Sequence, residues 1–227
     1  MKRDHHKSDK KNKKRGSSKK ILITAGPTRE PLDPVRYITN HSSGTLGYKI
    51  AEKTRKEGYD VTLISGPVNI PPPKGVKVIP VETAREMEKE VKRHIKKNDC
   101  IVMAAAVCDF RAAKETKKKI KKKRSLNIRL TMTTDILGGM KHIKGIKRIG
   151  FALETNDPIK NGMKKLKEKG LDLIIINAKT RENDPFGGGA KKRDYAILDP
   201  MGSVRNIKKR TKTEIAEIIK KEIKKLV

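Results

Sequence analysis

The residues best suited to chemistry in this sequence are cations and small polar groups placed where phosphates bind. Lys119, Lys165 and Lys169 can neutralise phosphate charge, and the last two are spaced i, i+4, on one face of a helix. Asp109 follows a continuous apolar run and can bind a hydroxyl or a metal-bound phosphate. His41-Ser42-Ser43-Gly44 leads into a helical pattern. Free backbone N–H groups and the positive end of the helix dipole can hold an anion there. Ser42 and Ser43 add hydroxyls near the N-cap, and Gly26 gives the preceding loop backbone freedom. Together these features describe a binder of a phosphorylated ligand. Taken singly, each is also met by a solvated loop or an ordinary βα turn.

Several chemistries are disfavoured. No Ser-His-Asp set or Cys-His pair is evident, and the histidines lack metal-ligand spacing. There is no GxxxxGK[ST], so no P-loop. Gly44-x-x-Gly47 is a fragment of GxGxxG. The next strand ends in Ser65-Gly66-Pro67, with no acid to hold a ribose hydroxyl, which disfavours an ordinary nicotinamide site. What remains is chemistry by positioning and charge stabilisation, the usual basis of nucleotidyl and phosphoryl transfer.

The elements that must position these groups alternate β and α. Ile21–Thr24 predicts a strand that breaks at Ala25-Gly26-Pro27. A polar loop is expected over 28–40, then a helix over Leu46–Lys56 and a strand over Val61–Ser65. Pro71-Pro72-Pro73 marks a stiff loop before a strand at Val76–Val81. Thr83 predicts an N-cap for a helix over Ala84–Lys97, with Met87, Val91 and Ile95 on one face. Cys100–Val107 predicts a central parallel strand buried on both faces. Ligands of such sheets gather outside the strands' carboxyl ends, where Asp109 falls. Lys114–Arg124 holds eight cations and one acid, a solvated loop or a mobile flap over phosphates. Asn127–Thr133 is expected as a strand outside the parallel set, and Asp135 as the cap of a short helix to His142. Strands at Lys147–Ala152, Leu171–Asn177 and Asp194–Leu198 and a helix over Pro158–Lys169 follow. Gly187-Gly188-Gly189 reads as a flexible loop, and Ser203–Ile207 as a hairpin partner of the last strand. Ile215, Ile218, Ile219, Ile223 and Leu226 stripe the final helix, Lys212–Leu226. The predicted class is α/β: a three-layer, Rossmann-like, mostly parallel sheet with helices on both faces.

The 227 residues suit one domain, read as 21–227 behind a basic disordered tail, 1–20. No apolar run approaches the ~20 residues that span a bilayer, and no signal peptide is visible, so a cytoplasmic protein is expected. Cys100 and Cys108 read as reduced packing residues. The net charge of +31 attracts nucleic acid, anionic membrane or phosphorylated small molecules. Aromatics at 3% and the absence of Trp leave base stacking little to work with.

The stretch ITAGPTREPLDPVRYITNHSSGTLG, Ile23–Gly47, resembles the signature of the phosphopantothenate–cysteine ligases of coenzyme A biosynthesis. The likeness continues through SGP at Ser65–Pro67, AAAVCDFR at Ala104–Arg111, KKIKK at Lys118–Lys122 and TDIL at Thr134–Leu137. GFALET at Gly150–Thr155 and KGLDLIIIN at Lys169–Asn177 complete it, in the family's order. The resemblance implies two steps. The 4'-phosphopantothenate carboxylate attacks the α-phosphate of CTP, releasing pyrophosphate. The cysteine amine then attacks the acyl-cytidylate and releases CMP. Eukaryotic members favour ATP, and magnesium accompanies the triphosphate; the metal ligands stay open.

By the same resemblance Asn40 holds the acyl group and helps the second step, as an amide donating to a developing oxyanion. A turn Asn bonding its own backbone is the plain alternative. Lys119 matches the flap lysine of the first step, with Lys118 and Lys121 one or two positions away. Asp109 matches a nucleotide-contacting acid, and Ala104, Ala105 and Ala106 bring backbone groups to base or substrate. Thr134, Asp135, Ile136, Leu137, Phe151, Lys165 and Lys169 match the remaining nucleotide positions. Gly26, Ser42, Ser43 and Gly44 form the phosphate and substrate loop. The family often has Pro at position 134 and an Asn-Asp pair where this chain has Asn177-Ala178. It also implies a homodimer and a decarboxylase partner, with no membrane and no specific nucleic acid. The readings weighed against it are a basic nucleic-acid-binding protein and an NADPH-dependent reductase.

Overall fold

The computed structural model describes residues 18–178 and 190–227. Most of the predicted basic tail and the loop Gly187-Gly188-Gly189 lie outside the described residues.

Alternating apolar residues build an eight-stranded sheet. Its first strand, β1 (Lys20–Ala25), sends Ile21, Ile23 and Ala25 to one face and Leu22 to the other. Parallel to it run β4 (Asp60–Ser65), β5 (Lys77–Pro80), β6 (Cys100–Met103), β9 (Lys147–Glu154) and β10 (Leu173–Ala178). The hairpin β11 (Arg193–Leu198) and β12 (Val204–Arg210) closes one edge antiparallel. The order is β12-β11-β10-β9-β6-β1-β4-β5. The chain leaves β1 toward β4 and returns to pair β6 on its other side, so the strand order switches between β1 and β6.

Helices α1 (Thr45–Lys56) and α4 (Lys212–Leu226) cover one face, and α2 (Ala84–Ile95) and α3 (Pro158–Lys169) the other. Two capping boxes start α2 and α4: Thr83 with Glu86, and Thr211 with Glu214. In α4 the predicted stripe turns inward, with Ile215, Ile219 and Ile223 fully buried.

Four expectations need correction. The loop 28–40 contains a short antiparallel hairpin, β2 (Arg29–Pro31) and β3 (Tyr37–Thr39). The strand from Cys100 stops at Met103 rather than Val107. Its neighbour β1 ends at Gly26-Pro27, where the proline has no N–H to give, and only a single bridge from Pro27 to Ala106 continues the ladder. The small side chains of Ala104–Ala106 then let the segment bend across the end of β1. Asn127–Thr133 narrows to β8 (Leu130–Met132), which pairs β7 (Phe110–Ala112) in a second small sheet. Asp135 accepts the Gly138 N–H at 3.0 Å, but the turn it starts is a single 3₁₀ turn, Gly138–Met140.

Candidate functional site

A cavity of about 800 Å³ opens outside the carboxyl ends of β1, β6 and β9, beside the switch point. The loop from β3 into α1 forms one wall with Asn40, Ser42, Ser43 and Gly44. Gly44 is the N-cap of α1, at φ 74, a conformation that favours glycine. The two serines therefore do not cap the helix. Ser42 Oγ accepts the Gly44 N–H at 3.3 Å, and the Ser43 and Thr45 hydroxyls pair at 2.9 Å. Gly26 does not line the cavity. It supports it: a Cβ on Gly44 would sit 2.6 Å from Val68 Cγ1 and 3.2 Å from Gly26 Cα.

The second wall is Ala104, Ala105, Ala106 and Asp109. Backbone bonds fix it, since Ala106 N–H donates to Gly26 O at 2.9 Å and Thr28 N–H to Ala106 O at 3.3 Å. Ala105 N–H donates to Thr24 Oγ1 at 3.2 Å. Asn40 spans the two walls: its Nδ2 donates to the carbonyls of Ala106 (3.1 Å) and Val107 (3.0 Å). Two carbonyl partners fix which end of the amide is nitrogen. Both amide hydrogens are thus engaged across the loops, neither on its own turn nor pointing at an oxyanion.

The third wall is Thr134, Asp135, Ile136 and Leu137, with Phe151 half-buried beside them. Thr133 stitches it to the second, giving its N–H to Asp109 O (2.9 Å) and its hydroxyl to Cys108 O. Glu88 of α2 is held below the usual carboxylate range by Lys92, and the Thr134 hydroxyl adds to this. Lys165 and Lys169 reach the cavity from α3, each already facing a carboxylate. Lys165 Nζ lies 2.5 Å from Glu154, and Lys169 Nζ 3.2 Å from Asp135. A partly exposed pair such as Lys169–Asp135 is worth little, and Lys165 stays partly exposed beside the largely buried Glu154, so an incoming phosphate can reach both lysines.

Lys119 is the predicted cation that the structure keeps apart. None of 114–124 lines the cavity; the segment lies on the β2–β3 hairpin, where Thr116 N–H donates to Leu32 O at 3.1 Å. Cys108 is buried under the second wall and burial pushes its thiol up; Cys100 is buried and free as well, so both are packing residues. Residues that sequence reasoning missed include Thr39, Thr133, Tyr195 and Lys212, all lining the cavity. Asn177 lines it too, and its place at a strand's carboxyl end was the available signal despite the missing acid beside it. Among the described residues no group of three or more His, Cys, Asp or Glu could hold a metal ion, and no helix is long and apolar enough to cross a membrane.

The geometry can be set beside known proteins. A family profile described as the DNA/pantothenate metabolism flavoprotein C-terminal domain matches residues 16–227. The chain is 44% identical over 172 residues to the coenzyme A biosynthesis bifunctional protein CoaBC of Escherichia coli K12, covering 73% of this chain and 42% of the relative. It is 39% identical over 217 residues to a cysteine/cysteine sulfinic acid decarboxylase from an unknown prokaryotic organism, covering 93% of this chain and 59% of the relative. The chain thus spans about half the length of these relatives. The crystal structure of the C-terminal domain of a CoaBC protein superposes with a TM-score of 0.78 at 36% identity, covering 92% of this chain and 95% of that one.

Proposed function

The chain belongs to the family of the DNA/pantothenate metabolism flavoprotein C-terminal domain, and on that premise we propose that it is a phosphopantothenate–cysteine ligase of coenzyme A biosynthesis. The observation that carries this reading is the cavity itself. It gathers Asn40, Asp109, Lys165 and Lys169 at the switch point of the sheet, in a volume suited to a nucleotide with an acyl group. A carboxylate has no good leaving group until a phosphate is placed on it. The reaction therefore needs anion binding and orientation rather than a side-chain nucleophile.

In the proposed first step, CTP lies with its base against the Ala104–Ala106 backbone and its ribose near Asp109. Lys165 and Lys169 exchange their carboxylate partners for triphosphate oxygens. Lys119 joins them as the arch Lys117–Lys119 bends toward the cavity with its two ends still held on the hairpin. The α1 N-terminus, open at Gly44, takes the phosphate of phosphopantothenate. In the second step Asn40 acts by its carbonyl oxygen. Its N–H groups serve the Ala106 and Val107 carbonyls, which leaves Oδ1 to accept from the cysteine amine and aim it at the acyl carbon.

Magnesium fits as an ion carried by the triphosphate. It keeps waters and takes substrate phosphates with one or two carboxylates, and Asp109 and Asp135 are the carboxylates on this cavity. It would supply charge neutralisation on the phosphates. We further propose a cytoplasmic homodimer. Val35 and Tyr37 of the hairpin and Phe110, Leu130 and Met132 of the neighbouring small sheet expose apolar surface that a second copy would cover. The product keeps a cysteine carboxylate, which a decarboxylase partner would remove. The nucleic-acid and reductase readings have no feature of this cavity in their favour.

The test is pyrophosphate release with phosphopantothenate, magnesium and CTP or ATP in turn, with and without cysteine. Release with CTP, and CMP with coupled product only once cysteine is added, is expected. Release with ATP alone would replace the nucleotide and keep the ligase; no release with either would end the reading.

A further inference from the structure

The basic segment 114–124 is fastened to the β2–β3 hairpin at two points, and one buried carboxylate makes the second. At the first, Thr116 N–H donates to Leu32 O at 3.1 Å. At the second, Ile120 N–H donates to Asp33 Oδ2 at 3.0 Å, and Ile120 O accepts from Arg36 Nη1 at 3.2 Å. Lys117, Lys118 and Lys119 form a short arch between the two.

Asp33 does more than its turn requires. Its Oδ1 accepts the N–H groups of Val35 (2.8 Å) and Arg36 (2.9 Å), which is an ordinary Asx turn. Its Oδ2 faces away from that turn, takes Arg36 Nη1 at 2.8 Å, and reaches Ile120, 87 residues along the chain. The side chain is shielded from solvent, at 0% exposure. The Ile120 N–H, the two turn N–H groups and Arg36 together hold it below the usual carboxylate range. A charged, fully satisfied carboxylate is therefore the fixed point, and the chain it holds is otherwise polar and exposed. Eight cations in eleven residues repel one another and have no apolar face with which to dock.

We infer that Asp33 is a positioning residue that pins the basic flap through the Ile120 N–H and so sets where the adjacent Lys119 stands. The role of Lys119 rests on the ligase reading; the pin rests on the hydrogen bonds alone. The hairpin that carries Asp33 runs on through β3 into Asn40, so the flap is tied by one short element to the residue that spans the cavity walls.

Two substitutions test the same bond from opposite ends. Asp33→Asn keeps the turn acceptor and sets an amide donor against both the Ile120 N–H and the Arg36 guanidinium. Ile120→Pro removes that N–H and leaves the hairpin untouched. Each should speed tryptic cleavage after Lys121, Lys122 or Lys123 by about tenfold, the scale of one charged hydrogen bond lost. The double variant should be cleaved no faster than Asp33→Asn alone. In the ligase assay both should lower kcat for pyrophosphate release with KM for phosphopantothenate unchanged, a split that general unfolding would not give. Cleavage of Asp33→Asn at the wild-type rate overturns the pin, and so do effects that multiply in the double variant. If the wild-type protein releases no pyrophosphate, the ligase reading fails, and the cleavage rates still decide the pin.

Discussion

The wall Ala104–Val107 and the flap 114–124 lie a few residues apart in the chain and are placed by opposite means. The wall is small and apolar, half-buried, and fixed by bonds to the backbone of Gly26 and Thr28 and to the Thr24 hydroxyl, all on or next to the central strand β1. Its groups are as well placed as the sheet itself. The flap is charged and exposed, with two attachments to the hairpin. Its position depends on single polar bonds and can change without disturbing the core. The proposed ligase, which would bind a base and then close on a triphosphate, needs both kinds: a surface that stays and a cation that travels.

Asn40 is where the two regions meet, so its loss should be the most damaging. Asn40→Ala is expected to lower coupled product formation on the order of 10²-fold, the scale of one preorganised polar group, while pyrophosphate release persists. Single-turnover assays that follow pyrophosphate and amide product separately check this; a normal product yield would sink the assigned role. Lys119→Ala should act on the flap alone. Pyrophosphate release should fall roughly tenfold to a hundredfold, as expected when a charged contact made in the transition state is lost. The melting temperature should not move, because Lys119 is exposed. A parallel fall in both quantities would mean that the flap is part of the fold, and the contrast drawn above would be lost.

On the wall the opposite coupling is expected. A Cβ on Gly66 would stand 1.8 Å from the Pro27 carbonyl oxygen, and Pro27 bridges to Ala106. Gly66→Ala must therefore push the wall off β1. Overpacking of this kind costs about 1–3 kcal/mol, and activity should fall together with thermal stability. A variant that melted early yet kept full activity would show that the wall is not the rigid partner.

Much of this was legible in the sequence because it lies in local pattern. Strand alternation, the Thr83 cap and the Ile215-to-Leu226 stripe are set by residues a few positions apart, and the predicted site residues fall where strands end. The failures are non-local or conformational. Pro31 and Pro34 hid a hairpin whose strands are three residues each. The apolar run after Cys100 gave no sign that it would leave the sheet at Ala104, since that depends on where the neighbouring strand ends. The residue type at Asn40 indicated a useful amide but not that both its hydrogens would go to Ala106 and Val107. No periodicity relates Asp33 to Ile120.

The smallest effect belongs to neither region, and so serves as a control on both. Glu57 follows α1 and faces α4, with Lys220 and Lys224 each at 2.8 Å. The Lys220 and Lys224 ammonium groups hold its carboxyl down at about 2, against an ordinary value of 4.5. A carboxylate depressed in the fold adds stability that is complete above its unfolded value and disappears as pH falls through the folded one. The difference in urea midpoint between the wild type and Glu57→Gln should thus be steady at neutral pH, shrink below about pH 4.5, and vanish near pH 2. Because the pair is solvated, the difference should also shrink in high salt. Activity at neutral pH should be unchanged, since Glu57 sits at the C-terminal end of α1, opposite the end that lines the cavity, and does not line the cavity itself. A loss of activity in Glu57→Gln would mean that the helix layer, and not only the end of the sheet, sets the position of the wall.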